Sequence, residues 1–353
     1  MNALKIPVLV ALALFLSASP ATAIELSAEV VIEAQSQKET QHDHTFLRTE
    51  VAPTLVFNDN WFVDGVLVLE PLDSEELTTR RRTFHREGIF SEELKLNYQR
   101  SLAGNALQIF IGKFNPAFGT AWDARGIWGE DFAEDYEITE KLGVGGAFTL
   151  QTESLGSHTI ATSSFFSDTS ALSQSVISSR GRTNKRDGGA ANTEDFSSYA
   201  ITLEGEQLGG IIGLNYHLAY RSLKHGDANI GADDESGYAA SINYAHQINQ
   251  QTEINLLLER VDIKNFDGST QDRSYNTSSL ITRIDDKWNI TLSHTQRVID
   301  SDGAAKVHDH LFQLSGGYDF SNGLTLDIGW RQSDEESLGH NSLGILGRYV
   351  FDL

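Results

Sequence analysis

The sequence has no cysteine, which excludes a disulfide framework, a thiolate metal site and a lipid-modified N-terminal cysteine. Only five prolines stand against 30 glycines, a balance that fits strands and turns better than helices. Past the first two dozen residues there is no apolar run of about 18 residues, the minimum for a membrane-spanning helix. Basic residues are scarce too. With 27 Lys and Arg against 49 Asp and Glu, the net charge is -22, so a nucleic-acid partner is not expected. A content of 22% charged residues ordinarily indicates a soluble protein. It does not exclude a transmembrane barrel, in which lipid-facing and lumen-facing residues alternate and the hydropathy signal is weak.

What is present begins with a secretory signal. Lys5 supplies a positive start, Val8 to Leu16 an apolar stretch, and Ala21-Thr22-Ala23 a small-residue cleavage site, so residues 1–23 read as a signal peptide cut after Ala23. The remaining chain, 24–353, loses only the charge of Lys5, taking the net charge from -22 to -23. Targeting of this kind leads out of the cytoplasm.

Alternation then runs through the rest of the chain. Leu94, Leu96 and Tyr98 interleave with Lys95, Asn97 and Gln99; Trp288, Ile290 and Leu292 with Asn289, Thr291 and Ser293; Leu324, Leu326, Ile328 and Trp330 with Thr325, Asp327 and Arg331. A helix would scatter these side chains around its circumference, whereas a strand sorts them into one apolar and one polar face. Connections alternate between short and long, the short ones including Asn58 to Asn60 and Asp285-Asp286. The long ones are Ser36 to Thr45, Leu72 to Ile89, Asn115 to Glu140, Ser167 to Ser197, Leu223 to Glu235, Lys264 to Asp272, Asp300 to Val307 and Ser333 to Asn341. Seven short and eight long connections join sixteen strands, and an even count places both termini at the periplasmic end of an all-β, antiparallel transmembrane barrel. No internal repeat or linker divides it, so one domain is expected. Ser167 to Ser197, rich in Ser, Thr and Gly, reads as a mobile external loop. Trp61, Tyr98, Tyr220, Tyr244, Trp288, Trp330 and Tyr349 fall near the ends of apolar faces, as interfacial girdles would.

The last residues, with Tyr349, Phe351 and Leu353 alternating with Arg348, Val350 and Asp352, resemble the C-terminal signature of outer-membrane barrels, which more often ends in Phe. The segment Gly112-Lys113-Phe114-Asn115-Pro116-Ala117-Phe118-Gly119, the strand count and the long third connection together resemble the Gram-negative outer-membrane porin superfamily, particularly its phosphate-selective and related substrate-preferring branches. The resemblance implies that the third loop, Asn115 to Glu140, folds into the lumen. Asp123, Arg125, Glu130, Asp131, Glu134 and Asp135 would then form the pore constriction. It also implies a homotrimer seated among outer-membrane lipid and lipopolysaccharide.

A channel makes no bonds, so its functional residues are those that set pore width and field. Alternation points Arg48, Lys95, Arg297 and Arg331 inward as pore wall, since a cation facing lipid at mid-bilayer costs about 2–4 kcal/mol. The expected function is passive diffusion of small hydrophilic solutes and ions across the outer membrane, mildly favouring cations because acids outnumber Arg125 in the third loop. The alternatives are a channel specific for phosphate, a sugar or a siderophore, and an outer-membrane barrel enzyme. No motif joins any of the eleven histidines to a nucleophile, so no catalytic residue is assigned. His42/His44 and His308/His310 lack a third ligand at fixed spacing, so no metal or cofactor is expected. Arg80, Arg81, Arg82 and Arg86 form the one basic cluster, read as an external site for lipid phosphates or a neighbouring subunit.

Overall fold

A computed structural model describes residues 24–39, 43–72, 82–123, 131–152, 154–180, 183–226, 233–336 and 338–353. The expected signal peptide therefore lies outside the described residues, as do His42, Arg80 and Arg81. Sixteen strands carry the fold. The first eight are β1 (Glu25–Glu39), β2 (Asp43–Val56), β3 (Trp61–Pro71), β4 (Glu87–Leu102), β5 (Asn105–Phe114), β6 (Lys141–Thr152), β7 (Gly156–Ser167) and β8 (Ser198–Glu206). The others are β9 (Leu214–Leu223), β10 (Glu235–Gln247), β11 (Thr252–Lys264), β12 (Gln271–Ile284), β13 (Trp288–Ser301), β14 (Val307–Asp319), β15 (Leu324–Glu335) and β16 (Leu338–Asp352). Each pairs antiparallel with its neighbours in sequence, and β1 pairs with β16 from Glu29↔Asp352 to Glu39↔Ser342. The sheet closes, leaving no edge strand whose N–H and C=O groups lack partners. Arg82–Thr83 adds a two-residue strand beside β2.

Period-two alternation sets the two faces. On β11, Leu256 and Leu258 are exposed outward while Leu257, Glu259 and Val261 are buried inward. Rings band the outer surface at both ends. Trp61 lies 5.0 Å from Tyr98 and Trp288 4.7 Å from Tyr318 near the termini, while Tyr220 lies 4.8 Å from Tyr238 and Phe312 5.7 Å from Trp330 at the other end. These are the positions that interfacial aromatics take in a membrane barrel.

Two sequence expectations need correction. Ser36 to Thr45 and Ser333 to Asn341 are not long loops, because pairing continues to Lys38↔Asp43 and to Glu335↔Leu338. Beyond an apolar band both faces of a strand can be polar, so the alternation fades while the hydrogen-bond ladder persists. The connection between β7 and β8 is also pinned rather than loose. Asp168 and Ser170 cap a short 3-10 turn, Ala171–Ser173, and the Val176 N–H donates to Ile89 O at 2.8 Å. Further along, Ala190 N–H donates to Asp267 at 2.9 Å and bridges to His225. The connection thus spans from β4 to the hairpin between β11 and β12.

Candidate functional site

The third loop leaves β5 after Phe114, two residues beyond Gly112. Its φ of +146° and its closeness to the next strand, where an added Cβ would lie 2.1 Å from Leu94 O, both require glycine. Lys113 follows, fully buried. It is tolerated because its ammonium sits 2.7 Å from Glu140 and 3.0 Å from Asp168 and donates to Leu172 O. Arg180 joins the group by pairing with Glu140 while its guanidinium lies 3.6 Å from the Phe90 ring centre. Burial alone would push the Asp168 carboxyl up, but hydrogen bonds from Ser170 and the Lys113 ammonium outweigh it and hold the group below the usual carboxylate range. Asn115 clasps the two ends of the loop. Its N–H donates to Glu93, its amide to Glu92, and its oxygen accepts from Glu140 N–H at 2.7 Å.

The loop then packs against the inward faces of distant strands. Glu259 of β11 accepts four hydrogen bonds from it: Thr120 N–H at 2.6 Å, Thr120 Oγ1 at 2.9 Å, Ala121 N–H at 3.0 Å and Tyr136 OH at 2.5 Å. Gly119, at φ +76°, leaves room for the Tyr136 ring, which a Cβ there would meet at 2.6 Å. Arg221 of β9 donates to Tyr136 O, pairs with Glu235 and lies 4.3 Å from the Phe118 ring centre. Asp135 accepts from Arg273 and Tyr275 of β12 and from Arg297 of β13, at 3.3, 3.0 and 2.9 Å. Phe114, Phe118, Phe132, Tyr136 and Ile138 are buried between loop and wall. Burial of these side chains, at about 25 cal/mol per Å² of apolar surface removed from water, anchors the segment alongside its polar contacts.

The residues marked out in the sequence fall into three groups. Asp135 and Arg297 meet directly. Arg297 is also held by Asp309 at 2.8 Å and Glu335 at 3.0 Å, so it belongs to the wall that carries the loop and not to a free wall across from it. Arg48 and Lys95 lie on the other wall, Arg48 among Glu70, Glu50 and Glu33 at 3.3, 3.7 and 3.9 Å, and Lys95 between Glu93 and Asp64. Arg331 faces inward on β15, level with Gln313 and Ser342. Asp123 and Glu134 are exposed, the latter ending the single turn α1 (Asp131–Glu134). Arg125, Glu130 and the Asp131 side chain lie outside what is described.

Alternation turns Arg221 and Glu259 inward along with other wall charges, but nothing local marks them, Tyr136 or Tyr275 as loop contacts, because their partners are remote in sequence. Glu137 is a further addition. Burial, followed by the nearby carboxylates Glu92 and Glu134, pushes its acid up to about 8. The histidines bring a different pairing from the one the sequence suggested, with His310 Nδ1 3.4 Å from His294 Nε2 of the next strand. Among the described residues no group of three or more metal-ligating side chains converges.

No protein-family model matches the chain, and no curated protein matches it in sequence. Solved structures do match in fold. OprB of Pseudomonas putida aligns with a TM-score of 0.64 at 10% identity over 94% of each chain. The outer membrane channel DcaP of Acinetobacter baumannii gives 0.56 at 11% over 93% of this chain and 97% of its own. The trimer form of OmpT, an outer membrane protein of Vibrio cholerae, gives 0.55 at 10% over 93% and 100%. At such identities the likeness establishes architecture and does not single out a phosphate-selective branch. The chain has the closed sixteen-stranded antiparallel barrel found in these outer-membrane proteins.

Proposed function

We propose that this protein is an outer-membrane channel for passive diffusion of small hydrophilic solutes and ions, exported with its signal peptide removed after Ala23 and assembled as a homotrimer. In this reading the third loop crosses the lumen and narrows it, and the protein has no catalytic role. The observation that carries it is the set of contacts from Thr120, Ala121, Asp135 and Tyr136 to inward-facing Glu259, Tyr275 and Arg297, which hold the loop against one wall. Passage is left between the loop and the wall built by β1 to β4.

That gap is acidic. Asp123, Glu134 and Glu137 line the loop side; Glu33, Glu50, Glu70 and Glu92 line the wall, around Arg48. Carboxylates in a narrow passage are screened less than external ones, so a preference for cations follows. Reversal potentials across a salt gradient in planar bilayers test it. Glu134→Gln with Asp123→Asn and Glu137→Gln should move the permeability ratio toward anions, and an unchanged ratio would remove this loop from the passage.

A further inference from the structure

A furrow of ≈ 920 Å³ opens on the outward face between β8 and β13. It is about as large as the roughly 300–1,000 Å³ sites that hold small molecules, and it lies where the barrel's apolar band would face lipid. The furrow exists because its floor carries small side chains, Ala240 and Ser278, between the larger Leu218, Ile242 and Leu258. Its ends differ in chemistry. Toward the turn after β8 the lining is apolar, ending at Leu208, whereas toward β13 it becomes Arg260, Asn276, His294 and Gln296. Cross-strand register sets Arg260, Asn276 and Gln296 side by side. The guanidinium is held in place, with Nη1 donating to Asn276 at 2.9 Å and Nε to Asp262 at 2.8 Å. Glu259, the one acid among the lining residues, turns its carboxylate inward to the third loop.

We infer that this furrow is a binding site for one membrane amphiphile bearing a phosphate headgroup, its acyl chain on the apolar stretch and its phosphate at Arg260 and His294. Asp262 takes the Nε/Nη2 edge of the Arg260 guanidinium and Asn276 one hydrogen of Nη1, so the phosphate oxygens would accept from the remaining Nη1 and Nη2 hydrogens. The Arg260–Asp262 pair gives that end both signs of charge, and the His294 ring, stacked on His310 at 5.6 Å, adds an imidazole beside it. Continuous apolar side chains would serve a barrel in fluid lipid equally well, so a dent with a polar terminus calls for a specific occupant. This inference rests on the membrane placement proposed above but not on conduction.

Native mass spectrometry of the full-length protein in mild detergent tests it, with lipopolysaccharide, phosphatidylglycerol and diacylglycerol added back separately to delipidated protein. One retained adduct is expected with a phosphate-bearing amphiphile, the two phosphate arms identifying its source, and none with diacylglycerol. Ala240→Phe, which fills the floor, should weaken retention at least tenfold. Arg260→Gln, at an exposed position where folding is not at stake, should weaken it several-fold and flatten its salt dependence. Val144→Phe, on β6 away from the furrow, should leave it unchanged. Single-channel conductance, measured in parallel, should be unaltered in all three, so that a failed channel reading is not mistaken for a failed lipid site. Equal retention by the wild type and both furrow variants, equal binding of diacylglycerol, or loss of oligomers in place of lipid in Ala240→Phe would overturn the inference.

Discussion

Replacing Glu259 by alanine removes the acceptor of four hydrogen bonds in one step. Two of the donors are the backbone N–H groups of Thr120 and Ala121, and Tyr136 is fully buried. Hydrogen bonds to a charged group contribute roughly 1.5–3 kcal/mol each, but four on one carboxylate do not add independently. Removing one partner of a buried charged contact costs about 3–5 kcal/mol, and we take that range for the docked loop. At about 1.4 kcal/mol per tenfold, the docked population falls by a factor of roughly 10² to 4 × 10³ relative to the undocked one. The barrel itself should survive, because the ladder runs through the Glu259 backbone, in register with Ser241 and Thr277, and not through its carboxylate. Single-channel recording should therefore show a larger and noisier conductance for Glu259→Ala in a protein that still migrates as a folded barrel. Glu259→Gln, which keeps one acceptor oxygen, should fall between. An alanine variant with wild-type conductance and noise, and with its barrel intact, would refute the latch.

Three further outcomes follow from the same geometry. Burial and the nearby carboxylates Glu92 and Glu134 push the Glu137 acid up to about 8, so cation preference should rise with pH through about 8 and this step should vanish in Glu137→Gln. A raised carboxylate pKa also means that its share of loop stability, complete below the ordinary value, is lost as pH climbs through about 8, which hydrogen exchange of the loop would follow. Arg48→Gln removes the cation among Glu33, Glu50 and Glu70 and should increase the cation-to-anion permeability ratio in bilayer recordings. Lys113→Met strands Asp168 and Glu140 without their buried ammonium, a change of about 3–5 kcal/mol, and should lower the thermal midpoint and expose the third and fourth loops to proteolysis together.

Much of the barrel was legible because strand faces are written locally: Leu256 and Leu258 outward, Leu257 and Glu259 inward, need only neighbours two positions away. The loop site was legible in composition and not in contacts. Asp135 stood out as one acid among several, but that it meets Arg297, Arg273 and Tyr275 depends on strands more than 130 positions later. Ser167 to Ser197 misled because Ser, Asn and Asp suit both unordered chain and the side-chain-to-backbone bonds that fix a turn. Here Ser170 caps a turn and Asn192 ties Asn184 O to Gly188 O.

The separation of 139 positions between Thr120 and Glu259 bears on how the molecule is built. Hairpins β1 to β5 can form from local contacts, and Asn115 can meet Glu92 and Glu93 early, but the contacts of Thr120, Asp135 and Tyr136 wait for β9 and β11 to β13. Non-local contacts of that span are the slow ones in folding. A half-made barrel accordingly holds a long acidic strand of chain with its rings exposed. Docking of this loop becomes one of the last events of maturation, and a protein interrupted midway would be sticky and open to chaperone capture.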